Sequence, residues 1–109
     1  MIVKELKEIL SGLGKDHYIN MPASEKSGVM VIYDEGVVRI IPTDDMKTVG
    51  ELLEDLLAFD DKMKVHTVFD DGEDSNELYL WWSKKFGYVH IDATSNWDEG
   101  LEHLFEKLN

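Results

Sequence analysis

The residues best suited to bind a cation lie in one short stretch, FDDGEDSNELYLWW (69–82). Five acids fall within its first nine positions and lead directly into an apolar, aromatic run. Carboxylate oxygens suit calcium, but an EF-hand loop also needs glycine at its sixth position and glutamate at its twelfth. Counted from Asp70, those positions hold Ser75 and Trp81. The spacing argues against an EF-hand and leaves a looser calcium or magnesium site among these aspartates as an alternative.

The four histidines form no transition-metal motif. None of them lies three or four residues from another, and no H-E-x-x-H is present. His66 and His90 lie on predicted strands that could be neighbours in a sheet, but strand histidines are more often half-buried and hydrogen-bonded than metal ligands. We therefore expect no metal and no other cofactor.

Nucleophilic catalysis has no better support. Ser83 and Ser95 occupy predicted turn and helix-cap positions, which already account for a serine. No G-x-S-x-G, G-x-G-x-x-G or G-x-x-x-x-G-K-[ST] motif is present, and the chain has no cysteine. We therefore expect that this chain is not an enzyme.

An aromatic cluster follows the acidic stretch. Strand alternation places Tyr79 and Trp81 on the same face as Glu77. The opposite, presumed core face carries Leu78, Leu80 and Trp82. If a helix covers the face of Tyr79 and Trp81, these two rings belong to the core. If that face is exposed, aromatic rings rimmed by acids favour binding of a basic protein. The predicted partner-binding residues are Asp70, Asp71, Glu73, Asp74, Glu77, Tyr79 and Trp81.

The first half of the chain predicts one helix and a hairpin. Apolar residues with helical spacing in IVKELKEILSGL (2–13) indicate the helix. Two β-branched runs in SGVMVIYDEGVVRIIP (27–42) flank a three-residue connection, Asp34-Glu35-Gly36. Because both runs are almost wholly apolar, we expect this hairpin to be central in its sheet. HYIN (17–20) predicts a short strand at the sheet edge.

The second half begins with a capping box, Thr48 with Glu51, ahead of a leucine stripe, and so predicts a helix. Three strands are expected next and a C-terminal helix after Ser95. The strands are KVHTVF (64–69), ELYLWW (77–82) and FGYVHI (86–91), and the helical stripe is Trp97, Leu101, Leu104, Phe105 and Leu108.

The order α-β-β-α-β-β-β-α predicts an α+β fold. We expect three amphipathic helices and a mostly antiparallel sheet of about five strands. A chain of 109 residues suits a single domain over residues 1–109.

The net charge of −12 is unevenly placed. The segment 44–77 contains twelve acids and three lysines, so it alone carries −9. Such a field repels nucleic acids and anionic membranes and attracts basic partners. The alternative is that acidity serves only solubility. Without cysteine, a secretory signal or an apolar run of about 20 residues, the chain is expected in the cytosol.

TVGELLEDLLAFDDKMKVHTVFDDGE (48–73) resembles a segment of small uncharacterised phage and mobile-element proteins. There a T-x-x-E-L-x-x-x-L helix, a short acidic or Pro-Asp turn and a V-x-(V/I) strand precede a polar hairpin. This chain has Phe59-Asp60-Asp61 where proline is usual. The resemblance covers about a quarter of the chain and implies no activity and no site residue. It implies a phage or prophage origin, where small acidic proteins often inhibit host proteins.

Three functional hypotheses follow. The first is a non-enzymatic acidic domain that binds a basic protein, in its sharpest form an inhibitor or immunity-like protein whose carboxylates mimic nucleic-acid phosphates. The second is a structural or accessory phage protein that forms a homo-oligomer. The third is a small metal- or ligand-binding enzyme.

Overall fold

The computed structural model describes residues 1–21, 24–68, 72, 74–83, 85–92 and 105–109. Within these residues the fold is α+β, with two helices and nine strands. The elements are α1 (Val3–Ser11), β1 (Tyr18–Asn20), β2 (Gly28–Asp34), β3 (Val37–Thr43), β4 (Lys47–Thr48), α2 (Val49–Leu56), β5 (Lys64–Val68), β6 (Asp74–Ser75), β7 (Tyr79–Ser83), β8 (Tyr88–Asp92) and β9 (Phe105–Lys107).

The strands form two sheets rather than the single sheet expected. One has five strands in the order β4-β1-β8-β7-β9, and the other has four in the order β2-β3-β5-β6. Most pairs are antiparallel, but β1–β8 and β3–β5 are parallel. The expectation that HYIN lies at a sheet edge is wrong, because β1 lies between β4 and β8.

The β2–β3 hairpin is tighter than predicted. Asp34 pairs with Val37, so the connection is the two-residue turn Glu35-Gly36. Both turn residues have positive φ, 52° and 79°, as a type I′ turn requires. The expectation that this hairpin is central holds for β3 but is wrong for β2, which is an edge strand of the described sheet.

The C-terminal residues Phe105–Lys107 form a strand, and the expected helix is wrong there. β9 pairs with β7, and Asn109 continues the pairing through its side chain. The Asn109 amide accepts from Leu80 N at 2.8 Å and donates to Leu78 O at 2.9 Å. The open edge of β7 thus outweighs the helical spacing of the sequence. The rest of the predicted helix, from Ser95 to Leu104, lies outside the described residues.

The helices and the inner faces of both sheets share one apolar core. Its largest members are Leu6, Leu10, Ile19, Met21, Ile40, Leu52, Leu56, Leu80 and Ile91. At the start of α2 the predicted capping box is confirmed. Thr48 Oγ1 accepts from Glu51 N at 3.2 Å, and Thr48 N donates to Glu51 Oε1 at 3.1 Å. Neither helix of the described ranges is long and apolar enough to cross a membrane.

Candidate protein-binding surface

The structure describes four of the seven predicted contact residues: Asp74, Glu77, Tyr79 and Trp81. Asp70, Asp71 and Glu73 lie outside the described residues. Glu77 is exposed between β6 and β7, and its backbone N donates to Ser75 Oγ at 3.2 Å. The described residues contain no group of three histidine or acidic side chains able to hold a metal ion.

Asp74 is the centre of an ionic cluster. Its Oδ2 accepts from Arg39 Nε at 2.8 Å, and its Oδ1 lies 2.8 Å from His66 Nδ1. Arg39 also donates through Nη1 to the Asp34 carbonyl oxygen at 2.7 Å. The hydrogen bond from Arg39 holds the pKa of Asp74 below its usual range, with a smaller contribution from His66, and raises the pKa of Arg39. Asp74 is thus neutralised within the chain and offers a partner little net charge.

The aromatic face of β7 is occupied by the chain itself. Trp81 is only 6% exposed, and in register it lies opposite His90 of β8 and Lys107 of β9. Lys107 Nζ lies 4.7 Å from the Tyr79 ring centroid and 6.0 Å from that of Trp81. The exposure required for Trp81 to be a contact residue is absent. The cation that a basic partner would supply here is already supplied by Lys107.

His90 lies beside Trp81 and is buried. Burial lowers its pKa to about 4, although the negative charge of Asp92 acts to raise it. The ring is therefore neutral at pH 7. Its ring packs edge-on against Phe105, with 4.9 Å between centroids. The expectation that His66 and His90 could be sheet neighbours is wrong, because β5 and β8 belong to different sheets.

A stacked aromatic pair outside the predicted site is more accessible. The rings of Tyr33 and Phe59 are nearly parallel, with centroids 6.0 Å apart, and Tyr33 is 54% exposed. Each ring precedes two acids, Asp34-Glu35 in one case and Asp60-Asp61 in the other. The stack thus joins two acidic segments that are far apart in sequence. The sequence showed both acidic segments as turns, but not the contact between the two rings.

These acids are only partly balanced by cations. Lys7 Nζ lies 2.6 Å from Asp61 Oδ1, and Arg39 Nη1 lies 3.7 Å from Asp34 Oδ2. Glu35 and Asp60 are exposed, and Asp60 Oδ1 accepts from Lys62 N at 2.8 Å. The surface around the stack, here called the Tyr33–Phe59 surface, therefore combines exposed aromatic area with negative charge that is only partly compensated.

A groove of about 610 Å³ separates the two helices. It is lined by Lys7, Ser11, Lys15, Asp16, Thr48, Gly50, Glu51, Leu53, Glu54 and Leu57. The first backbone amides of α2 face this region, but they already donate hydrogen bonds within the chain. Val49 N donates to the His17 carbonyl at 2.8 Å, and Gly50 N donates to the Lys15 carbonyl at 3.0 Å. The helix start therefore offers no amides to an anion.

Ser83 fits the turn role expected of it. It is fully buried, and its Oγ accepts from Phe86 N at 3.2 Å across the turn between β7 and β8. Comparison of the chain with models of known protein families, with curated proteins and with solved structures finds no match.

Proposed function

We propose that this chain is a non-enzymatic domain, acting in the cytosol, that binds a basic partner protein through its acidic surface. The observation that carries the proposal is the Tyr33–Phe59 surface. A half-exposed aromatic pair flanked by acids has the composition of a contact site for a basic partner. The acidic stretch that begins at Asp70 remains a second proposed contact segment, with Glu77 exposed near its end.

The sharper form of the proposal is inhibition. A partner with a basic nucleic-acid-binding site would meet carboxylates in place of phosphates. Competition tests this form directly. Duplex DNA should displace the domain from its partner, and the domain should displace DNA. Simultaneous binding of both would contradict mimicry and leave protein binding intact.

The test of binding begins with capture of the partner by the immobilised full chain, with elution by increasing salt. The affinity of the purified partner is then measured for three variants. Tyr33→Ser should weaken binding at least about tenfold, mainly through faster dissociation. Glu35→Gln with Asp60→Asn should slow association and flatten its salt dependence. Asparagine retains an oxygen that can accept from Lys62 N, so the local turn is preserved.

Phe86→Ser supplies the matched control. Phe86 is 61% exposed, but Lys85 Nζ lies 5.4 Å from its ring centroid, so the ring lies beside a cation instead of acids. Its removal should leave the affinity unchanged. Equal losses from Tyr33→Ser and Phe86→Ser, or binding insensitive to salt, would contradict the proposal.

A further inference from the structure

We propose that the outer edge of β2 binds an extended basic segment of the partner as an additional strand. This inference rests on the proposed function and deepens it, because it specifies how the partner binds. In such strand addition, main-chain hydrogen bonds supply affinity and alternate side chains supply specificity.

Among the described residues, no strand pairs with β2 on the side away from β3. β2 is the terminal strand in the order β2-β3-β5-β6, and Met30 and Tyr33 are 39% and 54% exposed. The start of the strand is covered: Gly28 and Val29 are buried, and the Asp45 carbonyl oxygen lies so close over the face that it would be 1.7 Å from a Cβ on Gly28. Residues 30–34 are therefore the part that a further strand can reach.

The hairpin register determines which main-chain groups face this edge. A two-residue turn closes on a hydrogen-bonded pair, here Asp34 with Val37. Hydrogen-bonded pairs then alternate along β2, so Ile32 and Met30 also bond to β3. The N–H and C=O groups of Val31 and Tyr33 point away from β3. They offer two donors and two acceptors to an incoming strand.

β2 lacks the usual protection of an edge strand. Natural edges carry lysine, proline or an inward charge, or remain very short. The run Gly28–Asp34 spans seven residues and contains no lysine, arginine or proline. The opposite edge of the same sheet, β6, has only two residues, and its Asp74 is paired with Arg39. The contrast marks β2 as the edge suited to a partner.

Charge at both ends of the open edge favours a basic segment. Asp34 ends the strand and Glu35 follows it, and both are exposed. Asp44 and Asp45 are exposed beside its start, where Ser27 Oγ donates to the Asp44 carbonyl oxygen at 3.1 Å. The residues immediately before Ser27, Glu25 and Lys26, contribute one charge of each sign. An extended peptide with lysines near both ends therefore meets carboxylates at both ends.

A second copy of the chain fits this edge less well. In an antiparallel pairing of two β2 strands, the end of each strand lies beside the start of the other. Asp34 and Glu35 of one copy would then face Asp44 and Asp45 of its partner. Like charges placed opposite each other oppose pairing, and each copy carries a net charge of −12.

Amide hydrogen exchange of the full chain, measured by NMR, tests the inference. The probe is a capped seven-residue peptide of alternating lysine and valine. On its addition, exchange of the Val31 and Tyr33 amides should slow at least about tenfold. Exchange at Met30 and Ile32 should change little, because β3 already holds those amides. This alternation is a signature that attraction by charge alone does not produce.

The matched control is the same peptide with every backbone nitrogen methylated. It keeps the charge but cannot donate hydrogen bonds, so it should bind at least about fivefold more weakly and protect neither amide. Equal binding of both peptides without alternation would overturn strand addition and leave charge-driven protein binding standing. Absence of peptide binding would also overturn it. Protection at Val31 and Tyr33 that rises with protein concentration in the absence of peptide would show a second copy at this edge and overturn the assignment to a basic segment.

Discussion

The faces of the two sheets that point away from the shared core differ sharply. On the five-stranded sheet, this outer face holds Trp81 and His90, both buried. On the four-stranded sheet, the outer face holds Met30 and the cluster of Arg39 and Asp74, which remain in contact with solvent. Strand alternation treats both faces alike, but one is a second apolar layer and the other is an open, charged surface.

The difference teaches that an aromatic strand face beside acids is not in itself a binding surface. Trp81 lies in the richest aromatic run of the chain, yet it is covered and Lys107 lies near its ring. Tyr33 lies in an ordinary apolar strand, yet it is exposed and stacked on Phe59. Whether other parts of the chain cover a ring, and not the composition of its strand, decides which aromatic residues are accessible.

The largest expected effect is loss of the buried outer face. Trp81→Ala should lower the free energy of unfolding by roughly 3–5 kcal/mol, because it leaves a large cavity in a covered layer. Met30→Ala on the open face should cost less than about 1 kcal/mol, since part of that side chain already meets water. Urea unfolding followed by circular dichroism measures both. Similar losses from the two variants would remove the distinction between the faces.

A smaller version of the same contrast lies on α2. Leu56 is fully buried, whereas Leu53 is only half-buried beside the interhelical groove. Leu56→Ala should cost roughly 2–5 kcal/mol and Leu53→Ala clearly less. The same urea titrations apply to both helix positions. A larger loss at Leu53 would show that the helix buries a different face.

The buried histidine should make stability depend on pH. The pKa of His90 falls from 6.5 to about 4 on folding. As the pH drops, this histidine is therefore protonated in the unfolded chain at a higher pH than in the folded chain. The associated stability is complete above about pH 6.5 and is lost towards pH 4, by up to about 3 kcal/mol. Unfolding free energies of the wild type and His90→Phe across this range measure the loss, and the variant should have the flatter profile.

Met30→Ala is the control on the open face, because it removes no titratable group, and it should retain the wild-type slope between pH 6.5 and 4. Asp74 acts in a lower window. Its lowered pKa means that its contribution is present above the usual aspartate pKa, about 3.9, and is lost as the pH falls further. A slope between pH 6.5 and 4 that persists in His90→Phe would contradict its assignment to His90.

The smallest effect is expected from the partly exposed ionic cluster around Asp74. Arg39→Gln should lower the urea midpoint slightly at low salt, because water that reaches the Asp74 carboxylate weakens the ion pair. In about 1 M salt the difference should nearly disappear. A large, salt-independent loss would show that Arg39 stabilises the fold through packing and not through its charge.

Local patterns of the sequence predict the local elements well. The capping box at Thr48, the apolar stripe of α1 and the runs that became β2 and β3 each depend on neighbours within a few residues. Sheet pairing depends on distant partners, so the sequence did not reveal two sheets, the internal position of β1 or the strand β9. The same limit applies to the candidate surface, since the stack of Tyr33 on Phe59 joins segments 26 residues apart.

The parallel pairing of β1 with β8 has a consequence for the order of folding. Tyr18 pairs with Tyr88, so the centre of the five-stranded sheet joins segments separated by most of the chain. Closing so long a loop is slow and entropically costly, whereas the β2–β3 hairpin closes over two residues. During synthesis, the four-stranded sheet can begin to assemble before β8, the parallel partner of β1, has left the ribosome.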